Sequence, residues 1–219
     1  MVHPIRKFIE KHFHPLLDVA VELTNDCNID CSYCYRKDRT VGYMNPVLFK
    51  RVIDQIPRYC RVALSFAGES IKHPQFQELF EYALKKRFRK LILYSNGIPQ
   101  YDRRLTVVVM PKPPPFIMTR DMKWKENYPL VPKYDYCSSL YRYMAVLWDG
   151  KVDICCKDVA GRLIVGDANT QWLKDVWRCR EYQLLRKKGN CDGCEVYKYD
   201  CMGDAMEFYE KQLAYPSLR

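Results

Sequence analysis

The chain has 219 residues, 48% of them hydrophobic, and a formal net charge of +10, enough apolar content for one core or one core with a small appended domain. No stretch approaches the roughly 18 uninterrupted apolar residues of a membrane span. The opening MVHPIRKFIEKHFHPLL has no apolar signal region, so the expected compartment is the cytoplasm, with no membrane partner.

Taken in order, residues 1–18 read as an amphipathic lead-in. Val19 to Thr24 is a short buried strand, and Asn25 to Thr40 a polar loop with three cysteines. Asn45-Pro46 starts a helix, Asn as N-cap and Pro at the first helical position, with Leu48, Val52 and Ile56 at helical spacing. Val62 to Phe66 is a second strand, followed by Ala67-Gly68-Glu69. His73-Pro74 opens a second helix with Phe76, Leu79, Phe80, Ala83 and Leu84 on one face. Leu91 to Tyr94 is a third strand, ending at Ser95-Asn96-Gly97. This rhythm predicts a parallel βαβ array whose chemistry sits at the strand C-termini.

The rhythm then breaks. Leu105 to Met110 is a strand with no helix before it, and Pro111, Pro113, Pro114 and Pro115 form a stiff connector. Met144 to Trp148 and Val152 to Cys155 flank an Asp149-Gly150 turn and predict a β-hairpin. Thr170 to about Lys188 reads as one helix. Cys191, Cys194 and Cys201 lie in the tail.

Eleven cysteines in a reducing compartment argue against a disulfide framework and for metal or redox chemistry. Cys27, Cys31 and Cys34 share one loop, so they can hold three irons of a cubane cluster and leave the fourth without a local protein ligand. A structural zinc site wants four ligands, and none is near to complete the set. The stretch Val21-Glu22-Leu23-Thr24-Asn25-Asp26-Cys27-Asn28-Ile29-Asp30-Cys31-Ser32-Tyr33-Cys34-Tyr35 resembles the signature loop of radical S-adenosylmethionine (radical SAM) enzymes. The resemblance implies a [4Fe–4S] cluster whose open iron takes the methionine moiety of S-adenosylmethionine. One electron then cleaves the sulfonium to a 5′-deoxyadenosyl radical. It implies that Tyr33 lies next to the adenine. It also implies that Ala67, Gly68 and Glu69, in place of the family's Gly-Gly-Glu, meet the methionine amino group. Ser95 and Asn96 resemble the Thr-Asn that often follows the third strand and are carried over as cofactor contacts.

Cys137, Cys155, Cys191 and Cys194 form a second constellation of four thiolates, suited to a fully ligated cluster. The stretch LWDGKVDICCKDVAGRLIVGDANTQWLKDVW resembles the SPASM/twitch domain of many radical SAM enzymes, and the spacing favours the single-cluster twitch form. A zinc-ribbon-like site is the rival, and Cys156 or Cys201 could replace an assigned ligand. Cys60 and Cys179 read as buried small hydrophobes.

The implied fold class is α/β: a partial, truncated (β/α) barrel with a small C-terminal α+β domain. The expected division is a lead-in 1–18, barrel 19–118, linker 119–136 and auxiliary domain 137–219. Six βα units need roughly 150 residues at about 25 each, so the barrel is expected to lack one or two units and to have an open mouth.

Three functions compete. The first is hydrogen abstraction from a peptide or protein side chain, with an auxiliary [4Fe–4S] cluster assisting. The second is the same chemistry on a small molecule or nucleotide. The third is a non-catalytic iron–sulfur carrier or partner subunit. The resemblance implies an electron donor such as flavodoxin or ferredoxin. A nucleic-acid partner has weak support, because clusters of net charge about −1 and −2 reduce the basic excess to about +7. No Ser/His/Asp set is visible, and the sequence names no general base.

Overall fold

The computed structural model describes residues 4–29, 35–96, 106–109, 136–156, 158 and 160–190. In chain order these form helix α1 (Pro4–Phe13), strand β1 (Asp18–Val21), helix α2 (Pro46–Gln55), strand β2 (Arg61–Ala63) and helix α3 (Phe76–Lys85). Strands β3 (Lys90–Ser95) and β4 (Thr106–Val109) follow. Then come a short helix α4 (Ser139–Arg142), strands β5 (Tyr143–Val146), β6 (Lys151–Asp153) and β7 (Ile164–Asp167), and helices α5 (Leu173–Trp177) and α6 (Arg180–Lys188). Single 3-10 turns occupy Tyr35–Asp38 and Ser70–Lys72.

The strands form one sheet in the order β4-β3-β2-β1-β5-β6-β7. The first five are mutually parallel; β6 pairs antiparallel with β5, and β7 antiparallel with β6. The α/β class is as expected. β5 has two roles: it forms the predicted hairpin with β6 around Asp149-Gly150, and it also pairs in parallel with β1, from Asp18↔Tyr143 to Val21↔Val146. Gly150 takes φ +90° at the turn, a conformation glycine adopts without steric cost.

β1 is buried at every position, as a strand covered on both faces must be. Val19 and Val21 face one cluster with Leu48, Phe49, Val52 and Ile53 of α2, Leu79 and Phe80 of α3, and Leu173 and Val176 of α5. Ala20 belongs to a separate cluster with Tyr143 and Ala145, against which Phe66 and Cys156 pack. Each large apolar side chain buried this way contributes about 1.5–3 kcal/mol relative to exposure. α2 starts where predicted: the Asn45 side chain accepts from the Val47 N–H at 2.8 Å and Pro46 follows.

At the start of β1, the fully buried Asp18 accepts from Arg61 Nε at 2.5 Å and from Arg142 Nε at 2.7 Å. Two guanidiniums offset the cost of burying this carboxylate and join β1, β2 and the chain entering β5.

One expectation is corrected, and two elements go beyond what the sequence reading named. The helix expected over 170–188 is two helices, broken at Arg178 and Cys179, where Cys179 is extended (ψ 163°). The break turns α6 back, so that Trp177 lies 4.7 Å from Tyr182 and its carbonyl accepts from Arg186 Nη1 at 2.9 Å. β7 was not foreseen, because Ile164-Val165-Gly166-Asp167 is short and forms only by pairing with β6. The lead-in contains a regular helix, α1.

Candidate cluster and cofactor site

Three loops at the C-terminal ends of β1, β2 and β3 meet at one place. Glu69, after β2, donates its backbone N–H to the Asp26 carbonyl of the β1 loop at 2.7 Å. Its carboxylate accepts from the backbone N–H of Asn96, after β3, at 2.7 Å and from Ser95 Oγ at 3.3 Å. Asn96 Nδ2 donates to Asn28 Oδ1 at 2.8 Å and to Cys27 Sγ at 3.4 Å. Glu69 is 2% exposed, so it is no solvated surface carboxylate; Oε1 also caps the 3-10 turn at Ile71. Ser95 is buried, and Ala67 and Gly68 are half-buried.

Gly68 is where the β2 loop crosses the cysteine loop. A Cβ there would stand 2.3 Å from the Thr24 carbonyl and 2.6 Å from Asn25 Cα. Only glycine permits that approach.

The cysteine loop is closed at its base by polar contacts that sequence reasoning missed. Asn25 is fully buried; its Oδ1 accepts from the Gly42 N–H and its Nδ2 donates to the Thr40 carbonyl, both at 2.9 Å. Thr24 Oγ1 donates to the Gly42 carbonyl at 2.7 Å. Arg39 donates to both oxygens of buried Glu22, at 2.9 and 2.6 Å. Trp148 N–H joins the same carboxylate at 3.2 Å. Tyr43 and Lys72 hold Asp26 from outside; the Lys72 hydrogen bond first, then that of Tyr43, keeps its carboxyl below the usual range. The signal available beforehand was Thr24-Asn25 immediately before Asp26-Cys27. The Glu22–Arg39 pair spans 17 positions and matches no local pattern.

Cys31, Tyr33 and Cys34 lie outside the described residues. Cys27 is the ligand candidate of this loop that the structure places, and the Asn96 amide donates toward its Sγ.

At the other site, Cys191, Cys194 and Cys201 lie outside the described residues, while Cys137, Cys155 and Cys156 are described. Cys137 N–H donates to the Gly189 carbonyl at 2.7 Å, two residues before Cys191. Gly189 ends α6 with φ +84°. Cys137 therefore sits beside the C-terminal end of α6. Cys155 and Cys156 face different surroundings. Cys155 packs on the cluster shared with the helices, whereas Cys156 packs with Ala20, Tyr143 and Ala145, its Sγ 3.3 Å from Ser139 Oγ. The neighbouring Asp153 is buried; desolvation first, then the charge of Asp158, pushes its carboxyl up to about 9. Among the described residues no three His, Cys, Asp or Glu side chains converge as a complete metal site. No helix among them is long and apolar enough to cross a membrane.

The chain resembles known proteins in sequence and in fold. Residues 21–107 match the radical SAM superfamily, and residues 137–201 match the iron–sulfur cluster-binding SPASM domain. The antilisterial bacteriocin subtilosin biosynthesis protein AlbA of Bacillus subtilis (strain 168) is 29% identical over 101 residues. That match covers 43% of this chain and 22% of AlbA, so the chain spans only a minor part of that relative's length. Among solved structures, BtrN in complex with AdoMet and 2-DOIA has a TM-score of 0.62 at 17% identity, over 80% of this chain and 87% of BtrN. Streptococcus suis SuiB bound to S-adenosylmethionine has a TM-score of 0.63 at 12% identity, over 88% of this chain and 74% of SuiB. SuiB has also been solved with its precursor peptide SuiA. The enzyme anSMEcpe with bound AdoMet has a TM-score of 0.55 at 16% identity, over 86% of this chain and 88% of that one. At these identities the structures share the fold, and the sequence matches supply the family. The chain carries a radical SAM superfamily domain over residues 21–107 and a C-terminal SPASM iron–sulfur cluster-binding domain over residues 137–201.

Proposed function

We propose that the chain holds a [4Fe–4S] cluster on Cys27, Cys31 and Cys34, binds S-adenosylmethionine there, and abstracts hydrogen from a peptide or protein side chain. When bound, the cluster supplies the electron that cleaves S-adenosylmethionine to a 5′-deoxyadenosyl radical. The observation carrying this reading is the meeting of the β1, β2 and β3 loops through Glu69 and Asn96 beside Cys27. Within that meeting, Gly68 holds the β2 loop against the cysteine loop. Glu69 orients the β3 loop, and Asn25 with Arg39 closes the cysteine loop at its base. The resemblance assigns Tyr33, Ala67, Gly68, Glu69, Ser95 and Asn96 to S-adenosylmethionine. Cys137, Cys155, Cys191 and Cys194 hold a second [4Fe–4S] cluster that accepts an electron or positions substrate.

A peptide substrate is favoured by two relatives: AlbA is named for bacteriocin biosynthesis, and SuiB has been solved with a precursor peptide. A small-molecule substrate is the second reading, supported by the likeness to BtrN over 87% of that chain.

The test is anaerobic reconstitution with iron and sulfide, reduction, and assay of 5′-deoxyadenosine. Wild-type protein should form it, and Cys27→Ala, Cys31→Ala and Cys34→Ala should not. Normal yield from the triple variant overturns the proposal. About eight irons per chain are expected for two cubanes; about four, with zinc present, removes the second cluster. Mass spectrometry of candidate peptides separates the two substrate readings.

A further inference from the structure

The resemblance assigns Asn96 to S-adenosylmethionine, but its side chain makes a different contact. Nδ2 lies 3.4 Å from Cys27 Sγ and 2.8 Å from Asn28 Oδ1. Its backbone N–H is held by the Glu69 carboxylate at 2.7 Å, and Glu69 is in turn fixed to Asp26 at 2.7 Å. Ser95 Oγ reaches the same carboxylate oxygen. The donor amide is therefore aimed by a closed circuit of three loops, and Asn28 orients its other hydrogen.

We propose that Asn96 is a positioning residue for the cluster ligand Cys27, its amide serving as a hydrogen-bond donor to the cluster sulfur that sets how readily the cluster accepts an electron. The inference rests on the reading of Cys27 as a cluster ligand. Reduction adds negative charge that spreads onto the ligating sulfurs. A fixed donor at one sulfur stabilises the reduced state more than the oxidised one and raises the potential. An amide is neutral, so the effect requires no proton transfer. The Glu69 carboxylate opposes it, but it accepts from the Asn96 N–H and Ser95 Oγ, which partly offset its charge where it stands.

The experiment is an anaerobic redox titration of the reconstituted full chain, followed by electron paramagnetic resonance. The signal that changes on adding S-adenosylmethionine reports the first cluster. Asn96→Ala and Asn96→Ser should keep the iron content and give a more negative midpoint for that signal, leaving the second cluster's signal in place. At the wild-type midpoint, clearly less than half of the variant's first cluster should be reduced. Asn96→Asp, of equal size but with no amide donor, should shift it further the same way. A wild-type midpoint in Asn96→Ala, with only the affinity for S-adenosylmethionine reduced, would make Asn96 a cofactor contact and overturn the proposal. Loss of the cluster's iron from Asn96→Ala and Asn96→Ser alike would overturn it too, reducing Asn96 to a closure of the loop. Failure of the underlying reading looks different: wild-type protein would then show no signal that responds to S-adenosylmethionine.

Discussion

Gly68 lies so close to Thr24 that a Cβ at position 68 would stand 2.3 Å from the Thr24 carbonyl oxygen. All three obstructing atoms, that oxygen, the Asn25 Cα and the Asp26 carbonyl oxygen, are backbone, so the clash cannot be relieved by rotating a side chain. Gly68→Ala must push the β2 loop off the cysteine loop. The expected cost is about 1–3 kcal/mol, as for overpacking elsewhere, with loss of iron from the first cluster. Ala67→Gly should keep its iron. Thermal unfolding and iron analysis of the two variants check this.

Arg39 and Glu22 predict a non-additive pair. Arg39→Ala leaves the buried Glu22 carboxylate with only the Trp148 N–H among the contacts described above. Removing one partner of a buried pair costs about 3–5 kcal/mol. Replacing both, as Glu22→Gln with Arg39→Met, should cost clearly less than Arg39→Ala alone. Urea unfolding of the single and double variants measures the difference.

His73 predicts a pH dependence. It is 4% exposed, its Nε2 2.9 Å from the Met44 carbonyl and its Nδ1 accepting from the Gln75 N–H at 3.1 Å. That pattern fixes the neutral tautomer with the proton on Nε2. Burial lowers its pKa from 6.5, against the Met44 hydrogen bond. The unfolded chain therefore takes up the proton first as pH falls. The stabilisation is present above about 6.5 and is lost as pH drops below it. His73→Gln keeps an N–H donor toward Met44 and cannot titrate. Melting curves from about pH 7.5 to about pH 5.5, spanning the ordinary histidine range, should show a smaller acid-induced fall in His73→Gln than in wild type. An equal fall refutes the assignment.

Cys155 and Cys156 are adjacent in sequence but pack in different clusters. If Cys155 is the ligand, Cys155→Ser should lose the second cluster's iron, about four atoms for one cubane, and Cys156→Ser should keep it. The reverse result would place the ligand at Cys156, against Ser139.

The sequence alone determined the parts of this protein that depend on local chemistry. Three cysteines closely spaced after an apolar strand point to an iron–sulfur site, because ligand number and spacing are local properties. Asn45-Pro46 and Asp149-Gly150 announce a helix start and a hairpin turn for the same reason. Tertiary structure decided the rest. β5 pairs with β1 across more than 120 positions, and Arg142 reaches Asp18 over 124; contacts at that distance leave no periodic trace. The break at Cys179 has no signal in helix propensity; it goes with the packing of Trp177 on Tyr182 and Arg186, which only the folded chain makes. The resemblance reads Asn96 as a cofactor contact; only the fold, by setting β3 beside β2, brings its amide within reach of Cys27. A local motif states which atoms are available, and the strand order decides which of them meet.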